Sequence, residues 1–337
     1  GHHEDSGFNS GKRTFKIYIP KVGMTAYRPT TEGPAYNNPF QRREIPEAQE
    51  ETPGAGIRVN GDDDNVNSTP DRNDTAVNNE NDLIEVVLDA APPAPASGFK
   101  YVLKRSSSNI KVWNSQTKGT AWLDANDETN LTFSTTPMTV WVENPNGGTA
   151  DLELQAKTDS GTVVCSDKVH FYPFTSIVIA LGGEGQDPAD PANANHGTFQ
   201  LAVDLYEQGY DVHMYNEDSV AGNGAGATYD EVISAIQHRN VNQVAIFGYS
   251  HGGGSTHDLA ERLDNNRGTI GAFTIPFTAY VDAVTQGAIT QENRRPPGSG
   301  FHVNFYQEGS LADGGLDGAP LTILLVRTLK MMWTIRW

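Results

Sequence analysis

The chemistry of this chain concentrates at Gly248-Tyr249-Ser250-His251-Gly252, where two glycines flank a serine at two-residue spacing. A serine hydroxyl attacks an acyl carbon only when it stands clear of its neighbours and a base is at hand. An apolar run from Gln243 to Phe247 precedes the segment, and a helical pattern from Gly253 to Leu263 follows it. A strand that turns abruptly into a helix crowds any side chain at 248 or 252, and glycine relieves the crowding. Gly253 and Gly254 let the helix begin close against the sheet. The backbone N–H of His251 would then face an oxyanion developing on the acyl group. The blander reading is a bystander serine in a glycine-rich turn, and the flanking strand and helix weigh against it.

A second segment has the chemistry of a cation loop. Asp63, Asn65, Asn67, Asp71 and Asp74 place oxygen ligands at loop positions 1, 3, 5, 9 and 12. A hard cation such as Ca²⁺ takes about six to eight oxygens, and this spacing wraps one chain segment around it. Asp62, Asp64, Glu80 and Asp82 could add ligands. The alternative is an acidic, solvated linker. We expect structural calcium that pins the loop to the following strand, Leu83 to Leu88, and no catalytic cofactor, since no histidine is near in sequence. Thermal melts with and without chelator test this, an unchanged midpoint counting against the ion.

The elements that must hold these residues read differently in the two halves. Phe15, Ile17 and Ile19, then Met138, Val140 and Val142, then Leu152 and Leu154 alternate with polar or solvent-tolerant neighbours. Period-two runs between Asn, Gly and Pro clusters predict a β-rich, sandwich-like region over 1–172, with the calcium loop at about 60–82. From 173 to 337 the pattern becomes α/β. Ser176 to Leu181 reads as a buried strand entering a Gly182-Gly183 turn, and His196 to Gln208 as a helix. Asp211 to Tyr215, Tyr229 to His238 and Gln243 to Phe247 then read as strand, helix and strand. This alternation predicts a mostly parallel sheet with flanking helices, whose ligands gather at the strands' carboxyl ends.

Residues 176 to 290, about a third of the chain, resemble the α/β-hydrolase superfamily on its lipase and esterase side. The likeness rests on Gly182-Gly183 after one strand and Gly248-Tyr249-Ser250-His251-Gly252-Gly253 after another. It implies an α/β-hydrolase-type sheet, with Ser250 as nucleophile and a second oxyanion donor from the backbone N–H of Gly183 or Glu184, beside that of His251. The family's chain order of serine, acid and histidine implies Asp282, at the end of the strand-like run Phe273 to Val281, as the acid. A helix cap or solvent-facing carboxylate is the other reading of Asp282. His302, within Phe301 to Tyr306, is the one histidine after Asp282 and so the implied proton acceptor, although a strand interior is an unusual place for it. His257 is expected to face away. The oxygen loop is similar to thrombospondin type-3 and EF-hand loops, closer to the first because no helix flanks it; Ser68 stands where those loops usually have glycine.

Composition narrows the function classes. A net charge of −18 opposes binding to nucleic acid or anionic lipid. Cys165 is the only cysteine, so no intrachain disulfide forms, and no apolar run is long enough to span a bilayer. Because calcium is scarce in cytosol, the loop tilts the expected location outward, to a secreted or periplasmic protein. The last 18 residues, from Pro320, carry three basic residues and no acid; they read as an apolar final element or as a truncated or frame-shifted end, and we expect the second. The expected activity is hydrolysis of small-molecule or lipid carboxylic esters through an acyl-enzyme, impaired if the triad histidine is missing. The rivals are a non-catalytic binding or surface protein on the same scaffold, and a serine peptidase or acyltransferase.

Overall fold

The computed structural model describes residues 19–28, 43–45, 57–59, 83–92, 98–115, 120–122, 127–133, 137–144, 148–188, 190–193, 196–208, 210–238, 240–284 and 292–306. Asp63, Asn65, Asn67, Asp71 and Asp74, expected to form a calcium loop, and the basic end from Pro320 lie outside them.

Among the described residues the chain forms antiparallel sheets first and a parallel one after them. Strands β1 (Lys21–Arg28), β2 (Arg43–Glu44), β4 (Ile84–Ala91), β6 (Lys111–Trp113) and β8 (Met138–Glu143) make an antiparallel sheet in the order β2-β1-β4-β8-β6. Strands β3 (Ile57–Val59), β5 (Phe99–Arg105), β7 (Glu128–Leu131), β9 (Ala150–Thr158) and β10 (Val163–Pro173) make another, β3-β10-β9-β5-β7, antiparallel except where β3 meets β10. The two share one apolar core, which alternation explains: Val86, Leu88, Val140, Val142, Leu152 and Leu154 are all buried there. The run through Ile19 does not continue the pattern. Ile19 is 74% exposed, and β1 begins at Lys21.

The third sheet is parallel throughout, in the order β12-β11-β13-β14-β15. Its strands are β11 (Ser176–Leu181), β12 (Val212–Tyr215), β13 (Gln243–Tyr249), β14 (Thr274–Val281) and β15 (Ser299–Phe305). Four helices accompany it: α1 (Gly197–Glu207), α2 (Ala227–His238), α3 (His251–Asn265) and the single turn α4 (Arg267–Ile270). Successive side chains of β11 face opposite ways, and both ways are apolar. Ile177, Ile179 and Leu181 pack with Val232, Leu259 and Leu263 of α2 and α3, while Val178 and Ala180 pack with Phe199 and Ala202 of α1. A strand covered on both faces reads as an unbroken apolar run, which is why Ser176 to Leu181 lacks alternation.

The strand order fixes where a crevice opens. From β11 the chain crosses through α1 to β12 on one side, then through α2 to β13 on the other. Loops leaving the carboxyl ends of β11 and β13 therefore diverge, and the gap between them is the topological switch point.

Candidate active site

Ser250 stands at that point, between the end of β13 and the first residue of α3. Its backbone has φ 52° and ψ −124°, a positive-φ conformation outside the left-handed helical region that L-residues seldom adopt. Holding it costs of order 1–3 kcal/mol, so the surroundings must enforce it. They do so from β14: the Ser250 N–H donates to Val281 O at 3.0 Å, and the Val284 N–H donates to Ser250 O at 3.0 Å. The side chain is half-buried and starts beside the N-terminus of a 15-residue helix, where the helix dipole favours negative charge.

Crowding explains the glycines. A Cβ at Gly248 would lie 2.0 Å from Gly252 O, and one at Gly252 would lie 2.4 Å from Gly182 O and 2.5 Å from Leu181 O. Backbone oxygens cannot step aside, so these positions admit no side chain. The same contacts put the Gly182-Gly183 turn against the serine: a Cβ on Gly183 would meet Ser250 Cβ at 3.0 Å.

The turn's amides can be accounted for one by one. Gly183 N–H donates to Gln186 Oε1 at 2.9 Å, and Gln186 N–H donates to Gly183 O at 2.9 Å. Of the two donors expected from this turn, Gly183 is thus engaged by a buried side chain. Glu184 N–H has no acceptor among the described residues. Glu217 is 4% exposed, and burial pushes its carboxyl pKa up. His251, beyond its backbone N–H, places Nδ1 3.3 Å from the exposed Glu184 carboxylate.

Asp282 is brought to the same edge. Tyr249 pairs with Val281 and Val281 with Phe305, so Asp282 follows β14 where Ser250 follows β13. It too has a positive φ, 49°, and its N–H donates to Phe305 O at 2.6 Å.

His302 is not brought there. Thr278 is its partner in the register, three positions short of the Phe305 row, or roughly 10 Å down the strands at about 3.3 Å per residue. It also lies two strands, roughly 9–10 Å, to the side of β13. Its Nδ1 is 2.8 Å from Thr278 Oγ1, its ring packs edge-on against Tyr280 at 4.4 Å, and burial holds its pKa down at about 4. A strand interior faces its neighbours rather than the carboxyl end, which is why the one late histidine does not reach the serine. No described imidazole is hydrogen-bonded to Ser250. His257 is buried, 1% exposed.

Two features lie apart from this site. His257, Asp258 and Glu261 of α3 could present ligand atoms within 4.8 Å of one another, the one such group among the described residues. A hollow of about 480 Å³ is lined by Lys104, Arg105, Asp127, Asp151, Glu153 and Lys168 of the antiparallel region. Four of its charged groups pair, Arg105 with Asp127 at 2.8 Å and Lys168 with Asp151 at 3.5 Å, and it contains none of the residues around Ser250. No described helix is long and apolar enough to cross a membrane.

No family model and no curated protein matches the chain. Among solved structures, a lipoprotein from Bacteroides thetaiotaomicron, determined by NMR in solution, aligns over 49% of this chain and 88% of its own, at 9% identity and a TM-score of 0.24. A protein from Legionella pneumophila described as a putative hydrolase aligns over 40% of this chain and 43% of its own, at 16% identity and a TM-score of 0.25. Likeness at these scores carries no argument about this chain.

Proposed function

We propose that the chain is a serine hydrolase of carboxylic esters on an α/β-hydrolase-type sheet. The observation that carries the reading is the strained Ser250 between β13 and α3, with the Gly183 turn against it at the switch point. In this reading Ser250 Oγ bonds to the ester carbonyl carbon and its proton passes to an imidazole. The resulting alkoxide accepts hydrogen bonds from the N–H groups of Glu184 and His251. Collapse of the intermediate breaks the bond to the alcohol, which leaves with the proton, and water then releases the acid from the serine. Asp282 would orient the imidazole. The acceptor in this reading is not His302, whose place in β15 keeps it away from Ser250.

That no described imidazole is hydrogen-bonded to Ser250 favours one rival, a binding protein that keeps the scaffold and not the turnover. Labelling with a fluorophosphonate separates them. The hydrolase reading expects covalent modification of Ser250, lost in Ser250→Ala; a folded protein that takes up no label at this serine would sink it. A series of ester chain lengths, run against peptides, then sets esterase apart from peptidase. Structural calcium on the Asp63–Asp74 loop, and with it a location outside the cytosol, belongs to the same proposal on oxygen spacing alone, and chelator melts test it.

A further inference from the structure

We propose that Gln186 and His196 are positioning residues for the oxyanion turn, holding it through a hydrogen-bonded chain that runs from backbone to backbone. Their effect on catalysis rests on the hydrolase reading; the chain of bonds does not.

The chain begins at Gly183 N–H, 2.9 Å from Gln186 Oε1. Gln186 Nε2 lies 3.0 Å from His196 Nδ1, and His196 Nε2 lies 3.1 Å from Asn193 Oδ1. Asn193 Nδ2 ends the chain by donating to Gly185 O at 3.3 Å and Asp187 O at 3.0 Å. Gln186 and Asn193 are each 8% exposed, so water is a poor substitute for either partner.

The two ends fix the polarity of everything between them. A backbone N–H only donates and a carbonyl only accepts. Gln186 must therefore turn Oε1 to Gly183 and its NH₂ group to His196. Nδ1 of His196 must accept, which leaves the ring proton on Nε2 to be donated to Asn193 Oδ1. Asn193, having accepted through Oδ1, donates through Nδ2. One tautomer and one orientation of each amide satisfy every link; reversing any member sets donor against donor or acceptor against acceptor.

The consequence falls on Glu184. With Gly183 N–H tied to Gln186 Oε1, Gly183 O accepting from Gln186 N–H at 2.9 Å and Gly185 O accepting from Asn193 Nδ2, the Glu184 peptide is clamped on both sides. Its N–H has no acceptor among the described residues, in a turn that stands against Ser250 at Gly183. A side chain that never touches substrate thus sets the position of a group proposed to do so.

The test combines a tautomer measurement with a rate. Nitrogen-15 correlation spectra of the wild-type protein should show His196 with unprotonated Nδ1 and protonated Nε2. Gln186→Leu should mix the tautomers and slow fluorophosphonate labelling of Ser250 by about 10- to 100-fold, the scale expected for a displaced oxyanion donor. On an ester substrate the loss should fall on kcat rather than KM. Gln186→Glu, whose carboxylate still accepts from Gly183 and whose second oxygen is satisfied once His196 takes a proton on Nδ1, should recover much of the rate. An Nδ1–H tautomer in the wild type overturns the chain, and unchanged labelling in folded Gln186→Leu overturns its role. If wild-type Ser250 takes no label, the hydrolase reading fails, and the tautomer spectra still judge the chain.

Discussion

The two β regions treat polar groups in opposite ways. Among the described residues of the antiparallel pair the buried polar side chains are few, Arg105, Glu143, Asn144 and Gln155, and Arg105 and Glu143 are the charged ones. Around the parallel sheet Gln186, Asn193, Asp211, His213, Glu217, Glu231, His257 and Thr278 are all buried. His213, with no exposed surface, lies 2.8 Å from Asp211 and 3.3 Å from Glu231. The difference follows from the architecture. Antiparallel sheets packed on one face leave the other to water, whereas a sheet covered by helices on both faces desolvates whatever its strands and loops carry. Buried polar groups oppose stability unless each is partnered. The antiparallel region therefore reads as a scaffold, and the parallel region as the part that tolerates strain and desolvation where chemistry is proposed.

The sharpest way to break that comparison is to add one carbon to each region. Gly248→Ala puts a Cβ 2.0 Å from a backbone oxygen and should cost about 3 kcal/mol or more by overpacking. Gly161→Ala, in the β9–β10 hairpin, has φ 91° with nothing within 4 Å, and should cost only the backbone strain, about 1 kcal/mol. Denaturant midpoints of the two variants check this. Equal losses would mean that the bend at Ser250 is not crowded and that the contrast between the regions is overdrawn.

What could be read from the sequence was whatever depends on neighbours along the chain. Alternation located β8 and β9, an unbroken apolar run located β11, and glycine spacing located the bend at Ser250, because all three are local steric or solvation effects. The expected helix from His196 to Gln208 forms over Gly197–Glu207, and the one from Gly253 to Leu263 lengthens to His251–Asn265. Register was out of reach, and it decides the fate of His302: whether a strand residue stands at the sheet's edge depends on which partner it meets. The chain from Gly183 through Gln186 and His196 to Asn193 was equally hidden, since its members fall in a polar stretch whose composition suits any loop. Glu217 gave a faint signal, an acid two residues beyond a strand's carboxyl end, at the same edge as the serine.

The smaller prediction concerns acid, and it sharpens the same comparison by asking where acid sensitivity resides. His302 is depressed from an ordinary 6.5 to about 4 because burial disfavours its charged form. Between those values the unfolded chain holds a proton on this ring and the folded chain does not. Unfolding then takes up a proton, so falling pH favours it: the destabilisation begins near pH 6.5, grows downward, and levels off below about 4, at no more than about 3 kcal/mol. His302→Asn removes the group and keeps a polar atom near Thr278 Oγ1, so the stability difference between wild type and variant should shrink on acidification across this window. Urea denaturation at pH 7, 5.5 and 4.5 measures it. Parallel curves would show that the ring is solvated and that burial in β15 does not hold it neutral. A converging pair would instead fix His302 as a neutral packing group in β15, leaving the serine's base to be sought elsewhere in the chain.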